Sequence, residues 1–201
     1  MRKARLFDRK TNLVVSANVI GEVTPKQLVD TEERWKKFRL EAREKRKKLG
    51  IPVPEHNHWN WDEKSLDLKF TAYRCLGIEH EQEMQGLMMI STLAVQGRSS
   101  VHRGKPALYV KYIEAAPWNL KQYVGDAARF GGVGISLIVA AIETSVEEEF
   151  RGRIALHSLP QAETFYSKFM EDLGIDLDME KLRYFEMSES GALNFLKGGD
   201  V

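Results

Sequence analysis

Cysteine, net charge and long apolar runs are all scarce in this sequence. Cys75 is the one cysteine among 201 residues, so no intramolecular disulfide can form, and the chain has no N-x-[ST] glycosylation sequon. The formal net charge of +1 gives no bulk attraction to nucleic acid or to an anionic membrane. No apolar run approaches the roughly 20 residues of a membrane-spanning helix. These absences lead us to expect a cytoplasmic protein that binds no membrane.

The remaining composition is that of an ordinary globular protein. Hydrophobic residues make up 43% of the chain and charged residues 29%. The first ten residues, MRKARLFDRK, carry charges but lack the apolar core of a secretion signal. A chain of 201 residues suffices for one well-buried core. We therefore expect a single domain over residues 1–201.

The first part of the chain predicts a hairpin followed by a long helix. ARLF and NLVVSANVIGEV are typical of two strands joined by the turn DRKTN. Thr24 and Pro25 form a helix start and Gly50 a helix end, so we expect an amphipathic helix over residues 25–48. The apolar stripe of this helix comprises Leu28, Trp35, Phe38, Ala42 and Leu49. A loop rich in proline, histidine and tryptophan follows over residues 51–64.

The second part alternates strands and helices. EMQGLMMISTLAV predicts a buried strand, and a basic turn leads from it to an antiparallel neighbour at residues 107–115. The predicted order then comprises a helix at 134–150, a strand at 153–158, a helix at 160–172 and a strand at 182–189. Such alternation implies parallel strands joined by a right-handed crossover. The predicted fold class is α/β (α+β), with a mixed, mostly antiparallel central sheet, one parallel β-α-β segment and flanking helices.

Three glycines precede the predicted helix in RFGGVGIS, residues 129–136. The first turn of a helix leaves amide N–H groups without partners, and the macrodipole makes that end positive. Glycines without a Cβ let a ligand approach the backbone closely. The amides of residues 130–135 are therefore expected to hold an anion without any side-chain charge.

Two common phosphate motifs do not match this segment. A P-loop has Lys-Ser or Lys-Thr after its last glycine, whereas Ile135 and Ser136 follow Gly134. The Rossmann glycine spacing is also different. The pattern R-x-x-G-x-G, formed by Arg129, Gly132 and Gly134, instead resembles the acyl-CoA pyrophosphate loop of the GCN-five-related N-acetyltransferases, the GNAT superfamily.

Segments on both sides extend the resemblance over residues 107–174. YVKYIEAAP resembles the family's fourth strand, and LHSLPQAETFYSKFMEDLG resembles its last strand-to-helix segment, with Ala162 and Tyr166 at the A-x-x-x-Y spacing. The family's asparagine before that alanine is replaced by Leu159. The resemblance implies an acyl-CoA-binding core in residues 107–174, with the acceptor side mainly in residues 1–100.

The resemblance also implies an activity and its participants. The chain would transfer an acetyl or other short acyl group from acetyl-CoA, a cosubstrate, to a primary amine of an unidentified small-molecule, peptide or protein acceptor. The backbone of Ile113 and Ala115 would pair with pantetheine as an added strand does. The implied donor-binding residues are Ile113, Ala115, Arg129, Phe130, Gly131, Gly132, Val133, Gly134 and Ile135.

Acyl transfer to an amine needs a base and an acid. A lysine-like amine has a pKa near 10.4 and must lose a proton before it attacks. Glu114, on the strand that borders the expected cleft, is the candidate base. His157, a water relay, or a purely structural role for Glu114 stay open. The resemblance makes Tyr166 the acid that protonates the leaving thiolate, and the same ring also falls on an apolar helical stripe.

Other classes of function remain as rivals. The fold could bind CoA or a protein partner without catalysis, and the basic stretch EAREKRKK could meet RNA. We expect no nucleic-acid partner, because acidic residues are interleaved in that stretch. We expect no metal, because His56 and His58 have neither a cysteine nor a third ligand close by. The long helix is larger than a minimal family member needs, which suggests a specialised acceptor or a homodimer contact.

Overall fold

Most strands of the sheet pair with antiparallel neighbours. The structure, a computed structural model, describes residues 2–48, 50 and 59–198, and nine strands of this part form one sheet in the order β6-β1-β2-β3-β4-β5-β7-β9-β8. The strands are β1 Arg2–Asp8, β2 Leu13–Ile20, β3 Tyr73–His80, β4 Glu83–Gln96, β5 Pro106–Ala115, β6 Phe130–Gly131, β7 Ile154–Ser158, β8 Glu171–Asp176 and β9 Leu182–Met187. The pair β5–β7 is parallel. The mixed sheet with a β-α-β segment is thus confirmed.

Six α-helices occur in the same described residues. They are α1 Pro25–Lys48, α2 Trp61–Ser65, α3 Lys121–Val124, α4 Val133–Glu147, α5 Glu163–Tyr166 and α6 Glu189–Gly198. None of these helices is long and apolar enough to cross a bilayer. The predicted hairpin is confirmed, although β2 ends three residues earlier than expected, and the helix over 25–48 and the strand at 107–115 are confirmed to within one residue.

Helix α1 starts with a reciprocal cap. The Gln27 amide donates to Thr24 Oγ1 at 3.3 Å, and the Thr24 amide donates to Gln27 Oε1 at 2.9 Å. This capping box satisfies two backbone donors at the helix start, and Pro25 occupies the first helical position, where its missing N–H costs nothing. The cap predicted from the sequence is confirmed.

The contacts of the chain divide it into two compact units. Unit 1 comprises Met1–Met88 and Ile113–Leu137, and unit 2 comprises Met89–Tyr112 and Ile138–Val201. The core of unit 1 includes Leu6, Leu28, Trp35, Trp61, Leu76, Leu87, Phe130 and Leu137. The core of unit 2 includes Leu108, Ala141, Ile142, Ile154, Leu156, Phe185 and Met187. The single domain over residues 1–201, with its acceptor and donor parts, stays a prediction.

The predicted helix over residues 160–172 is wrong. The chain forms a 3₁₀ turn at Pro160–Ala162 and the short helix α5, and then enters strand β8. Strand β8 pairs antiparallel with β9, with a register shift between Asp172 and Ile175. Gly174, at φ +86°, lies within that irregularity. Phe165, Phe169 and Leu173 follow a helical periodicity, but Leu173 lies in β8, which pairs with β9. Helix propensity is a weak preference, and the backbone hydrogen bonds between the two strands override it.

Candidate active site

The glycine segment lies at the start of helix α4, and part of it is a strand. Phe130 and Gly131 form β6, where Gly131 pairs with Phe7 and Phe130 with Asp8 of strand β1. The Phe130 amide donates to Asn119 Oδ1 at 3.0 Å. That amide is already bound, contrary to the expectation that it faces a ligand. The available donors must therefore lie further along the chain.

The first turn of α4 provides three free amides. The Gly132 carbonyl accepts the Ser136 amide at 2.9 Å, so Gly132 caps the helix with φ +85°. Over residues 2–48, 50 and 59–198, the amides of Val133, Gly134 and Ile135 donate to no protein acceptor. Gly132 is exposed, and Gly134 and Ile135 are half-buried. An anion can reach these donors from solvent.

A glycine on the neighbouring strand positions this helix start. A Cβ on Gly86 would lie 2.6 Å from Val133 Cγ1 and 3.0 Å from Leu137 Cδ1. Only glycine leaves room for the first turn of α4 to pack this closely on strand β4. Since Val133 is buried there, the backbone amides of the turn are held at a fixed position.

Two arginines flank the turn. The Arg129 guanidinium lies 3.5 Å from Glu81 and 3.6 Å from Glu83. The positive charge that we predicted to bind the donor is therefore paired with two acidic side chains. Arg9 was not singled out from the sequence. Its Nη2 atom lies 3.1 Å from the position of a Cβ on Gly131. Its only sequence signal is its place in the polar turn after β1.

Ile113 and Ala115 lie near the carboxyl end of strand β5. The parallel pairing of β5 with β7 joins Leu108–Val110 to Ile154–Leu156. The Ala116 amide donates to the Gln85 carbonyl at 2.8 Å, which fixes the strand end to β4. Pairing of Ile113 and Ala115 with pantetheine stays a prediction.

Glu114 lies in a buried network of unit 1, which we call the Glu114 network. Its Oε2 accepts the Trp61 indole N–H at 2.7 Å, and its Oε1 lies 3.4 Å from Arg39 Nη1. Arg39 also binds Glu32 and donates to the Trp59 carbonyl at 3.2 Å. The Glu114 side chain is 1% exposed. Any proton exchange with a substrate therefore needs a relay.

Burial raises the pKa of Glu114 to about 7. The Arg39 charge and the Trp61 hydrogen bond oppose the rise, and the Glu32 charge adds to it. A carboxyl with this pKa is about half ionised at neutral pH, which suits a general base. The position of Glu114 beside Arg39 is also consistent with a purely structural ion pair, the alternative role stated in the sequence analysis.

Sequence reasoning did not single out Glu32 or Arg39, although a signal was present. Both lie on the buried stripe of α1 that includes Leu28, Trp35 and Ala42. Two opposite charges seven residues apart on an apolar stripe are expensive to bury unless they pair. That spacing predicts a buried ion pair, and its third partner comes from strand β5.

Tyr166 lies in an aromatic cluster of unit 2. Its ring is 5.1 Å from Phe165 and 5.8 Å from Phe185, measured between centroids, and the residue is 4% exposed. Burial raises the pKa of the phenol, which stays protonated at neutral pH. Within the described residues no group accepts or donates a hydrogen bond at its hydroxyl. Its role as an acid stays a prediction.

His157 has both ring nitrogens engaged. Nδ1 lies 2.8 Å from the Tyr109 hydroxyl, and Nε2 lies 3.1 Å from Asp176 Oδ2. Because neither nitrogen is free, His157 is the weaker candidate for a base. His56 and His58 lie outside the described residues. Among residues 2–48, 50 and 59–198, no group of three or more His, Cys, Asp or Glu side chains is placed to hold a metal ion.

No family model matches this sequence, and no curated protein matches it. Solved structures do match. A bacterial toxin aligns with TM-score 0.59 and 12% identity over 90% of this chain and 97% of its own. FeeM, an N-acyl amino acid synthase from uncultured soil microbes, aligns with TM-score 0.54 and 13% identity over 89% and 94%.

A GNAT-family acetyltransferase from Listeria monocytogenes also aligns, with TM-score 0.50 and 12% identity over 86% of this chain and 94% of its own. Identities this low show a shared fold and no more. The chain has a GNAT-like fold.

Proposed function

We propose that the protein is an acyltransferase that moves an acetyl or other short acyl group from acyl-CoA to a primary amine. The observation that carries the proposal is the group of three free amides at the start of α4, behind a glycine with positive φ. The GNAT-like fold supports it, because two of the aligned structures are an acetyltransferase and an N-acyl amino acid synthase.

The donor would be held mainly by backbone. The amides of Val133, Gly134 and Ile135 point out of a 15-residue helix, whose dipole favours negative charge at this end. A pyrophosphate fits such a site because it offers several acceptor oxygens within one helical turn. Arg9 or Arg129 would add a charge-assisted hydrogen bond, Arg129 after exchanging Glu81 and Glu83 for the ligand.

The chemical step would use the candidate base and acid. Through a water, Glu114 takes a proton from the acceptor ammonium, and the neutral nitrogen attacks the thioester carbon. The C–N bond forms, the C–S bond breaks, and the thiolate takes a proton from the Tyr166 hydroxyl. The amide nitrogen loses its second proton to solvent, which reprotonates Tyr166. A backbone N–H of Ile113 or Ala115 would stabilise the carbonyl oxygen as charge develops.

The surroundings of the candidate catalytic residues favour a second candidate, a module that binds CoA without turnover. Glu114 and Tyr166 are both buried, and both ring nitrogens of His157 are already engaged by Tyr109 and Asp176. Binding of acetyl-CoA with no thiol release for any amine of a panel would favour this module.

The test measures donor binding and turnover on matched variants. Gly132→Val forces a β-branched residue into φ +85° at the helix start, and Gly104→Val imposes similar strain at φ +73° on an open turn in unit 2. We expect Gly132→Val to weaken acetyl-CoA binding by calorimetry at least tenfold and to raise the KM for the donor. Gly104→Val should leave both unchanged. Equal donor affinity in both variants would remove the α4 turn from the site.

A further inference from the structure

A large cavity of unit 1 lies beside the carboxyl half of helix α1. Its volume is about 680 Å³. Residues 38–46 of α1 form one wall, and the segment 121–127, which includes α3, forms the other. Neither wall includes the free amides of α4. Cavities of about 300–1,000 Å³ are the usual size for organic ligands.

The interior of this cavity is mostly apolar. Phe38 and Ala42 line it from α1, and Tyr123, Val124 and Ala127 line it from the opposite segment. Ala42 and Tyr123 are buried, which anchors both walls in the core of unit 1. An aromatic and aliphatic lining of this kind stabilises an apolar ligand body by removing it from water.

Positive charge surrounds the apolar lining. Three lining residues, Lys45, Arg46 and Lys121, are cationic, and one, Glu41, is anionic, so the surplus is two positive charges. Asp126 lies 3.5 Å from Lys121 and would reduce that surplus to one. Both side chains of this pair are largely exposed, so a ligand anion can replace Asp126 at little cost.

We propose that this cavity binds a small organic anion with an apolar body, such as an alkyl or aryl carboxylate. The apolar body would lie between Phe38, Tyr123 and Val124, and the anionic group would lie among Lys45, Arg46 and Lys121. A nucleic acid fits less well, because the lining behind the cations is apolar. The site is separate from the proposed donor site and goes beyond the proposed function.

The test compares two probes that share one chain length and differ in charge. Octanoate and octylamine are titrated into the full chain by calorimetry, without any CoA compound. We expect octanoate to bind at least tenfold more tightly than octylamine, and to lose affinity as salt rises. Equal affinity for the two probes, or tighter binding of octylamine, would overturn the proposal. Because no acyl donor is present, the result is independent of the proposed transferase activity.

Variants locate the binding. Lys45→Glu combined with Lys121→Glu reverses charge at two exposed positions and should abolish the preference for octanoate. Lys26→Glu makes the same change at the exposed amino end of α1 and should leave it intact. Val124→Trp fills the cavity from a half-buried position and should reduce octanoate affinity at least tenfold. Octanoate binding that survives both the charge reversal and Val124→Trp would place the anion elsewhere and overturn the proposal.

Discussion

The two units each bury a carboxylate, but they hold it differently. In unit 1, Glu114 accepts hydrogen bonds from the side chains of Trp61 and Arg39. In unit 2, Glu186 is 0% exposed and accepts the backbone amides of Arg98 at 2.8 Å and Ser99 at 2.9 Å. Backbone donors are fixed by the fold, whereas side-chain donors can change partners.

This difference separates a structural carboxylate from a candidate functional one. The two amides held by Glu186 lie in the turn between β4 and β5, and His102 Nε2 of the same turn lies 3.0 Å from Glu186 Oε2. Glu186 therefore shapes a turn. The partners of Glu114 come from helices α1 and α2, and its raised pKa of about 7 lets it gain and lose a proton near neutral pH.

The largest effect is expected at Glu186. Glu186→Ala leaves the buried Ser99 amide and the part-buried Arg98 amide without their acceptor, so we expect the free energy of unfolding to fall by about 3 kcal/mol or more in urea titrations. Glu189→Ala serves as control, because Glu189 is half exposed and its buried partner Arg153 keeps a hydrogen bond to the Pro106 carbonyl. The control should lose about 1 kcal/mol at most. A similar loss in both variants would contradict a structural role specific to Glu186.

The elements predicted correctly from the sequence are those with strong local signals. Helix α1 has a capping box and a long apolar stripe, and the hairpin β1–β2 has a polar turn that leads into a β-branched strand. The segment at 160–172 has helical periodicity, but its last two residues belong to β8 and pair with β9 residues more than ten positions away. Long-range pairing of this kind leaves little trace in a local window.

The candidate site could likewise be predicted only where its residues carry a local sequence signal. The glycine segment marks a helix start in the sequence, so the amides of Val133, Gly134 and Ile135 could be predicted from it. That the Phe130 amide binds Asn119 depends on a loop eleven residues away and has no local signal. The Glu114 network joins three distant elements, and the one part of it visible in sequence is the pair of charges on the α1 stripe.

The next largest effect is expected at Glu114. Glu114→Gln removes the base, so we expect kcat/KM at pH 7 to fall about 10²-fold and to lose its rise with pH around 7. Because burial raises the pKa of Glu114 from 4.5 to about 7, its contribution to stability is present below 4.5 and is lost as pH rises through 7. The free energy of unfolding of Glu114→Gln should therefore not decrease as the pH rises through 7.

Glu33→Gln is the matched control, since Glu33 is exposed on α1 beside Glu32. Rates and unfolding are measured from pH 5 to 9 on both variants. An unaltered rate profile in Glu114→Gln would assign the base to another group. Glu114 would then be a structural carboxylate, as Glu186 is.

A smaller effect is expected at Tyr166, which separates catalysis from stability within unit 2. Tyr166→Phe removes a hydroxyl that makes no hydrogen bond within the described residues, so the free energy of unfolding should stay within about 0.5 kcal/mol. Turnover should fall about tenfold if this phenol protonates the thiolate, with acetyl-CoA affinity unchanged. Lower stability with unchanged turnover would instead show that the ring acts only in packing.

The smallest effect is expected at Asp176, where the pH dependence runs opposite to that of Glu114. Hydrogen bonds from Arg98 and His157 lower the pKa of Asp176 from 3.8 to about 2. A lowered carboxyl pKa stabilises the folded state above 3.8, and this contribution is lost as pH falls towards 2. Asp176→Asn should therefore unfold at slightly lower urea than wild type at pH 7 and converge with it near pH 2. Asp178 is exposed, so Asp178→Asn should unfold at the same urea concentration as wild type at every pH. If the difference in urea midpoint between Asp176→Asn and wild type stays constant with pH, packing and not ionisation stabilises this position.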